Sequence, residues 1–233
     1  FAAYQFTELP FLGDKAEVTS VALWRTHTKF FADKGYFAGV ELVGFNTHGP
    51  GHLFTKSKAV LKPADMKGQK IRTGGPIPRQ MVEAWGGVVV RQPAPKVYEL
   101  LSTGVVDGVT FPWESVPSFR ITRLVPHATI VPGGLYSSSF FLVVSKKKWD
   151  GLPKADKDAI APLIGENFAR FAGKAWDARN AAGAAAGKKA GTRIVTAPPA
   201  VIDGIKALMP KFEKAYAEGA KAVGIADGAA VIG

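Results

Sequence analysis

Lys70-Ile71-Arg72-Thr73-Gly74-Gly75-Pro76-Ile77-Pro78-Arg79-Gln80-Met81-Val82-Glu83-Ala84-Trp85-Gly86-Gly87-Val88-Val89-Val90 is the stretch whose reading decides the fold class. Lys70 to Thr73 reads as a short strand that stops at a glycine pair. Pro76 then opens a helix, because proline has no N–H to lose in the first turn and its fixed φ already suits it. Ile77, Met81, Ala84 and Trp85 recur at helical spacing, and Gly86-Gly87 ends the helix. Val88-Val89-Val90 resumes an extended, buried pattern. A strand, a helix and a strand in so short a span indicate α/β construction with a largely parallel sheet.

The flanking chain continues the alternation. A helix over 21–34 leads through a turn at Gly39 into a strand at Val40-Glu41-Leu42-Val43-Gly44-Phe45. A helix over 95–103 carries Val97, Leu100 and Leu101 on one face and closes at Gly104, before a strand-like run at 105–109. Ile130-Val131 and Phe140 to Val144 are apolar enough for buried strands. From 154 to 190 the pattern is helical and long, with Pro162 placed to break or kink it. Its Ala-rich part, 181–190, keeps helix propensity with little apolar bulk, which suits a helix lying across a surface. A short strand at Ile194-Val195 and an amphipathic helix over 200–223 complete the reading.

The 233 residues suffice to bury a core without disulfides or structural metal, as one large domain or two modest lobes. Absence of cysteine excludes disulfides, thiolate catalysis and Cys-based zinc sites. No run of about 18 apolar residues occurs, so no membrane-spanning helix is expected. The chain opens on Phe1-Ala2-Ala3-Tyr4, without Met or a leader pattern, so a preceding segment is expected. A formal charge of +11 favours anionic partners. Its lysines and arginines are scattered, with Lys146-Lys147-Lys148 the longest run, and no nucleic-acid-binding signature accompanies them.

Catalytic motifs are missing. His48 and His52 enclose Gly49, Pro50 and Gly51, which prevents a helix from presenting both to one metal. Ser137-Ser138-Ser139 lacks the glycines of a nucleophile elbow, and Gly74-Gly75-Pro76 is too short for a phosphate loop. No catalytic residue, metal or cofactor is therefore assigned. What is present is Arg72 at the end of a strand, beside a helix start. Its planar fork matches a carboxylate, and the helix start adds free N–H groups at the edge where open α/β sheets bind ligands. Phe111 and Trp113 bracket Pro112 just after the next strand; they could wall a pocket or be ordinary core.

Four motifs now stand in one order: Glu8-Leu9-Pro10-Phe11-Leu12; Asp65-Met66-Lys67-Gly68-Gln69-Lys70-Ile71-Arg72; Val97 to Gly108; and Val143-Val144-Ser145-Lys146-Lys147-Lys148-Trp149. The series resembles the DctP-type periplasmic solute-binding proteins of TRAP transporters. The resemblance implies a periplasmic-binding-protein-like fold, with two α/β lobes, hinge strands and a long helix crossing both. The expected division is 1–49 with 138–176 as lobe I, and 50–137 with 177–233 as lobe II. It further implies that the first strands and helices of lobe I lie outside this sequence, so some apolar sheet surface should be exposed. Implied too are a periplasmic location, an organic acid as ligand, TRAP membrane subunits as partners, and no nucleic acid.

Within the resemblance Arg72 matches the family arginine that pairs with the ligand carboxylate. Three positions depart from it: Gly51-His52 replaces a second ligand-facing arginine, Phe111 an asparagine, and Ala94 an aromatic residue. With fewer polar groups and an aromatic ring in their place, the ligand implied is an aromatic or apolar monocarboxylate, with a short dicarboxylate or 2-oxo acid as the competitor. Tyr136, Ser137 and Ser138 are expected to line the cleft, and His52, when protonated, to stand in for the missing arginine. The alternative from another class is an α/β enzyme acting on a small carboxylate, with Asp107 or Glu114 as its only acid–base candidates.

Overall fold

The computed structural model describes residues 2–232. Its strands are β1 (Val40–Thr47), β2 (Gly51–Thr55), β3 (Lys70–Arg72), β4 (Val88–Val90), β5 (Gly108–Pro112), β6 (His127–Ile130), β7 (Ser139–Ser145) and β8 (Arg193–Thr196). The helices are α1 (Ala16–Phe30), α2 (Pro76–Ala84), α3 (Val97–Ser102), α4 (Ser115–Ser118), α5 (Lys146–Asp150), α6 (Lys154–Ile160), α7 (Glu166–Lys189), α8 (Pro199–Lys206), α9 (Met209–Ala222) and α10 (Ala229–Ile232).

Six strands form one sheet in the order β4-β3-β5-β2-β6-β8, and β1 pairs with β7 in a separate two-stranded sheet. The β3–β4, β3–β5 and β6–β8 pairs are parallel, as the 70–90 reading requires. The sheet is nevertheless mixed, because β2 runs antiparallel to both β5 and β6. Strand β2, wholly buried at the centre, goes unread in the sequence. Only five residues long and framed by Gly-Pro-Gly, it shows no alternation to distinguish it from a loop.

Successive β2 side chains point to opposite faces and divide the core accordingly. Leu53 joins Ile71 on β3, Met81, Val82 and Trp85 near α2, and Val201 and Ile205 on α8. Phe54 joins Val109 and Phe111 on β5, Val97 and Leu101 on α3, and Val116 on α4. The first cluster continues to Tyr4, Phe6, Phe31 and Phe45, and to Phe212 and Tyr216 on α9. Packing thus crosses between the segments 1–49 and 177–233, where the Tyr216 hydroxyl donates to the Ala3 carbonyl at 3.1 Å. Within β7 of the two-stranded sheet, Phe140, Phe141 and Leu142 are 42%, 42% and 46% exposed.

Pro162 breaks the long helical pattern rather than kinking it: α6 stops, a 3-10 turn covers Ala161–Leu163, and α7 begins after Gly165. The closing helix is likewise two, α8 and α9, with Pro210 in the first turn of the second. Helix α7 has 24 residues, about 36 Å at the usual rise, and its buried glycines let it lie against backbone. A Cβ on Gly173 would meet Ala16 and Glu17 at the start of α1; one on Gly183 would meet the Trp113 carbonyl; one on Gly187 would meet the Trp113 ring. Between these approaches, Asp177 accepts from the Ala16 and Glu17 N–H groups at 2.7 and 3.1 Å, capping α1 from a different helix.

Ala in place of Gly ordinarily favours a helix interior by about 1 kcal/mol. Gly183→Ala should instead lower unfolding stability by about 1–3 kcal/mol through overpacking. Gly219→Ala in α9, whose nearest neighbour for a Cβ is Ala2 at 3.9 Å, should be neutral or stabilising. Urea titration of both variants checks this; a stabilised Gly183→Ala protein would contradict the close approach of α7.

Candidate ligand-binding cleft

Strand β3 delivers Arg72 to its carboxyl end, where the chain turns through Thr73-Gly74-Gly75 into α2. The side chain is only 5% exposed. Its Nε donates to the Gln92 carbonyl at 2.9 Å, and Cζ lies 4.7 Å from the centre of the Phe111 ring. Both Nη atoms lie on the side of Gly74, where a glycine leaves room beside them. Burial pulls the guanidinium below its usual pKa, with a smaller opposing effect from Tyr136. It stays charged all the same, since arginine starts so high. Among the described residues no carboxylate forms an ion pair with it.

Arg72 opens into a cavity of about 350 Å³. On the six-stranded-sheet side the wall is Arg72, Ala94 and the parallel pair Phe111–Phe119, with ring centroids 5.4 Å apart and planes at 13°. Across from it, Phe140 of β7 and Trp176 of α7 form a second parallel pair at 5.9 Å and 13°. The cavity therefore lies between the two sheets, walled by aromatic rings from both sides. His48, Tyr136, Ser138 and the run Glu114, Ser115 and Ser118 supply its remaining polar lining. A second recess of about 350 Å³ shares Arg72 and Gly74 and holds Arg79, Arg91 and Gln92. Arg79 and Arg91 line this recess and not the cavity between the ring pairs.

Tyr136 is held from two directions. Its hydroxyl donates to the Thr110 carbonyl at 3.1 Å, and its ring occupies the space a side chain at Gly51 would need. Burial raises its pKa well above the ordinary phenol value. His48 is 7% exposed, and its Nδ1 lies 2.5 Å from the Gly49 carbonyl. Glu114 accepts from the Ser115 hydroxyl; burial raises its pKa, while Ser115, Arg179 and Ser118 act in the opposite direction. Behind Gly75, Glu8 lies at the start of α2 with the Ile77 N–H at 3.4 Å, and burial lifts its pKa to about 7.

The expected site residues separate. Arg72, Phe111, Ala94, Tyr136 and Ser138 come together around the cavity. Trp113 does not line it: this ring turns inward, meeting Phe54 at 4.8 Å edge to face and packing beneath Gly187. Ser137 also points elsewhere, donating to the His48 carbonyl at 2.9 Å. His52 is a further correction to the expected lining. It sits opposite Phe111 in the β2–β5 register, is 3% exposed, and accepts from the Val131 N–H at 3.3 Å. Burial, reinforced by His48, lowers its pKa to about 3, so it offers no cation in place of an arginine.

Sequence reasoning misses His48, Phe119, Phe140 and Trp176 as lining. Phe140 reads as strand core and Trp176 as one more apolar helix position; only tertiary packing brings them opposite Phe111. Among the described residues no group of three or more His, Asp or Glu could hold a metal ion, and no helix is long and apolar enough to cross a membrane.

The buried acid and histidines make stability depend on pH. His48 and His52 have folded pKa values of about 4 and about 3 against 6.5. Below 6.5 the unfolded chain therefore binds two protons that the folded one refuses, and stability falls as pH drops. Glu8 acts oppositely between 4.5 and about 7, where the folded state holds the extra proton. Among these three groups, two against one leaves a net loss of about 1.4 kcal/mol per pH unit between 6.5 and 4.5. His27, lowered by burial, adds to that loss, and Glu114, raised by burial, subtracts from it. His52→Gln should remove most of that acid limb, leaving unfolding stability nearly flat from pH 6.5 to 4.5. Denaturant titrations across this range check it; an unchanged slope would refute a neutral buried His52.

The sequence model of the bacterial extracellular solute-binding proteins, family 7 (DctP), matches residues 1–221. A TRAP periplasmic solute-binding protein from Bordetella bronchiseptica, solved with (R)- and (S)-mandelate, is 40% identical and superposes with a TM-score of 0.91, covering 100% of this chain and 73% of its own. A TRAP solute-binding protein from Rhodoferax ferrireducens T118, in complex with copurified benzoate, is 29% identical with a TM-score of 0.90, covering 100% and 72%. The outer membrane transporter protein TsaT of Comamonas testosteroni is 32% identical over 167 residues, 71% of this chain and 49% of TsaT. The chain spans about half the length, or less, of the curated relatives it matches.

Proposed function

Since this chain belongs to the bacterial extracellular solute-binding proteins of family 7, we propose that it is the receptor body that binds an aromatic or apolar monocarboxylate and presents it to a TRAP membrane transporter in the periplasm. The family and the solved relatives are solute-binding proteins rather than enzymes. One observation carries the ligand class: Arg72 is a buried cation whose forked end meets no carboxylate among the described residues. A charge taken out of water needs a partner, and a guanidinium takes a carboxylate in two parallel hydrogen bonds. The recess with Arg79 and Arg91 adds positive potential at the approach.

The rest of the wall chooses the tail. Two aromatic pairs leave a flat, apolar slot, into which a ring inserts favourably and a polyhydroxy chain would lose its water without replacement. Mandelate and benzoate in the two solved relatives support this reading. A short dicarboxylate is disfavoured because His48 is neutral, with its pKa lowered to about 4. A second cationic partner is thus missing among the described lining residues beside Arg72. The lobes are taken as 1–49 with 138–176 and 50–137 with 177–233, closing on the acid from the two sides that the ring pairs already mark.

Arg72→Lys keeps the charge and loses the fork; Arg72→Met loses both. Benzoate affinity by titration calorimetry should fall about tenfold in the first and about a hundredfold or more in the second, in line with one and then two charge-assisted hydrogen bonds. Unchanged benzoate affinity in Arg72→Met, or tight succinate binding with no response to benzoate or mandelate, would refute the assignment.

A further inference from the structure

We propose that Glu114, assisted by His48, makes the cleft selective for a monocarboxylate that also bears a hydroxyl group, accepting a hydrogen bond from that hydroxyl and rejecting a second carboxylate. The inference rests on the receptor reading above and narrows its ligand.

The argument is a count of donors and acceptors on the wall. Arg72 offers donors only. The Tyr136 proton is committed to the Thr110 carbonyl, and that of Ser115 to Glu114. His48 can be assigned a tautomer from its neighbour: a carbonyl oxygen only accepts, so the 2.5 Å contact between Nδ1 and Gly49 puts the ring proton on Nδ1. Nε2 is then a bare acceptor on a ring that is 7% exposed and lines the cavity. Glu114 is the one acidic residue of this lining among the described residues. Its carboxylate takes Ser115 and Ser118, which leaves part of its roughly four lone-pair sites available.

The cleft is therefore sorted: donors lie where a carboxylate docks, the remaining wall offers spare acceptors, and the Ser138 hydroxyl can serve as either. A hydroxyl proton satisfies such an acceptor, whereas an analogue lacking the hydroxyl leaves it dry and unpaired. Sites that hydrogen-bond a substrate hydroxyl discriminate strongly for this reason. A second carboxylate brings lone pairs and negative charge against Glu114 and the bare nitrogen of His48, a repulsive element of the kind specificity requires.

Calorimetry with benzoate, 3-hydroxybenzoate, phenylacetate, mandelate and isophthalate tests this on the unsubstituted chain and on Glu114→Gln, Glu114→Leu and His48→Phe. At least one hydroxy acid should bind ten times or more tighter than its deoxy analogue, and isophthalate a hundred times weaker than benzoate. Glu114→Leu should shrink the hydroxyl preference below threefold, read as the ratio of hydroxy to deoxy acid affinity within that variant. Glu114→Gln, close to isosteric and so safe for folding, should admit isophthalate at least tenfold better. Benzoate binding with no hydroxyl preference, or a preference and a diacid exclusion that survive every substitution, overturns the inference and leaves the receptor reading intact. Failure of all five acids to bind the unsubstituted chain overturns both.

Discussion

A guanidinium withdrawn from water, with no carboxylate among the described residues to face it, is the constraint around which the cleft is organised. Removing such a cation from solvent is costly, and proteins tolerate it where hydrogen bonds and polarisable neighbours compensate or where a ligand completes the pair. Arg72 has partial compensation: one N–H on the Gln92 carbonyl and the face of Phe111 beneath its planar end. Both contacts leave the outer edge of the fork unsatisfied. They also hold it still, so that little side-chain freedom remains to be lost when an acid docks.

The fold can be understood as the means of holding that edge over a slot. Arg72 ends β3 in register with Val90 of β4 and Val109 of β5, so its backbone is pinned on both sides. Phe111 follows two residues after Val109, on the same face of the sheet. The opposite wall arrives from a different part of the chain, on β7 and α7. What brings it near is α7, whose glycines at 173 and 183 allow backbone-to-backbone approach at α1 and at Trp113, and whose Gly187 makes room for the Trp113 ring. The inward-turned Trp113 is thus a foundation for the cleft rather than part of its lining, and Asn180 of α7 accepts its N–H at 3.0 Å.

Those roles explain which features are legible in the sequence. The strand–helix–strand unit around Arg72 can be read because its punctuation is local: glycine pairs, a proline in a first turn, and helical spacing of four apolar residues. Arg72 itself is legible because a charged residue closing a strand stands out against its neighbours. Strand β2 is not legible, since a central strand buried on both faces loses the alternation that marks a half-buried one. Trp113 and Phe111 look equivalent on either side of Pro112, yet one meets α7 while the other meets the cavity. The exchange between His52 and His48 has a similar origin. Both flank a Gly-Pro-Gly turn, and only the completed β2–β5 pairing shows which ring is enclosed by the sheet.

The net charge of +11 and the chemistry of the cleft answer different questions. Scattered surface lysines are screened within about 8–10 Å at physiological salt, so they bias the approach of any anion without distinguishing one from another. Inside, the charge pattern is nearly the inverse: one confined arginine, two histidines kept neutral by burial, and two carboxyl groups, Glu8 and Glu114, raised towards the neutral form. Desolvation pushes each of these groups away from its charged form, and arginine begins far enough from neutrality to remain ionised regardless. A cleft of this kind carries a single durable positive charge whatever the total on the surface. It follows that the number of carboxylates a ligand brings is read by the interior, while the exterior governs how fast any acid arrives.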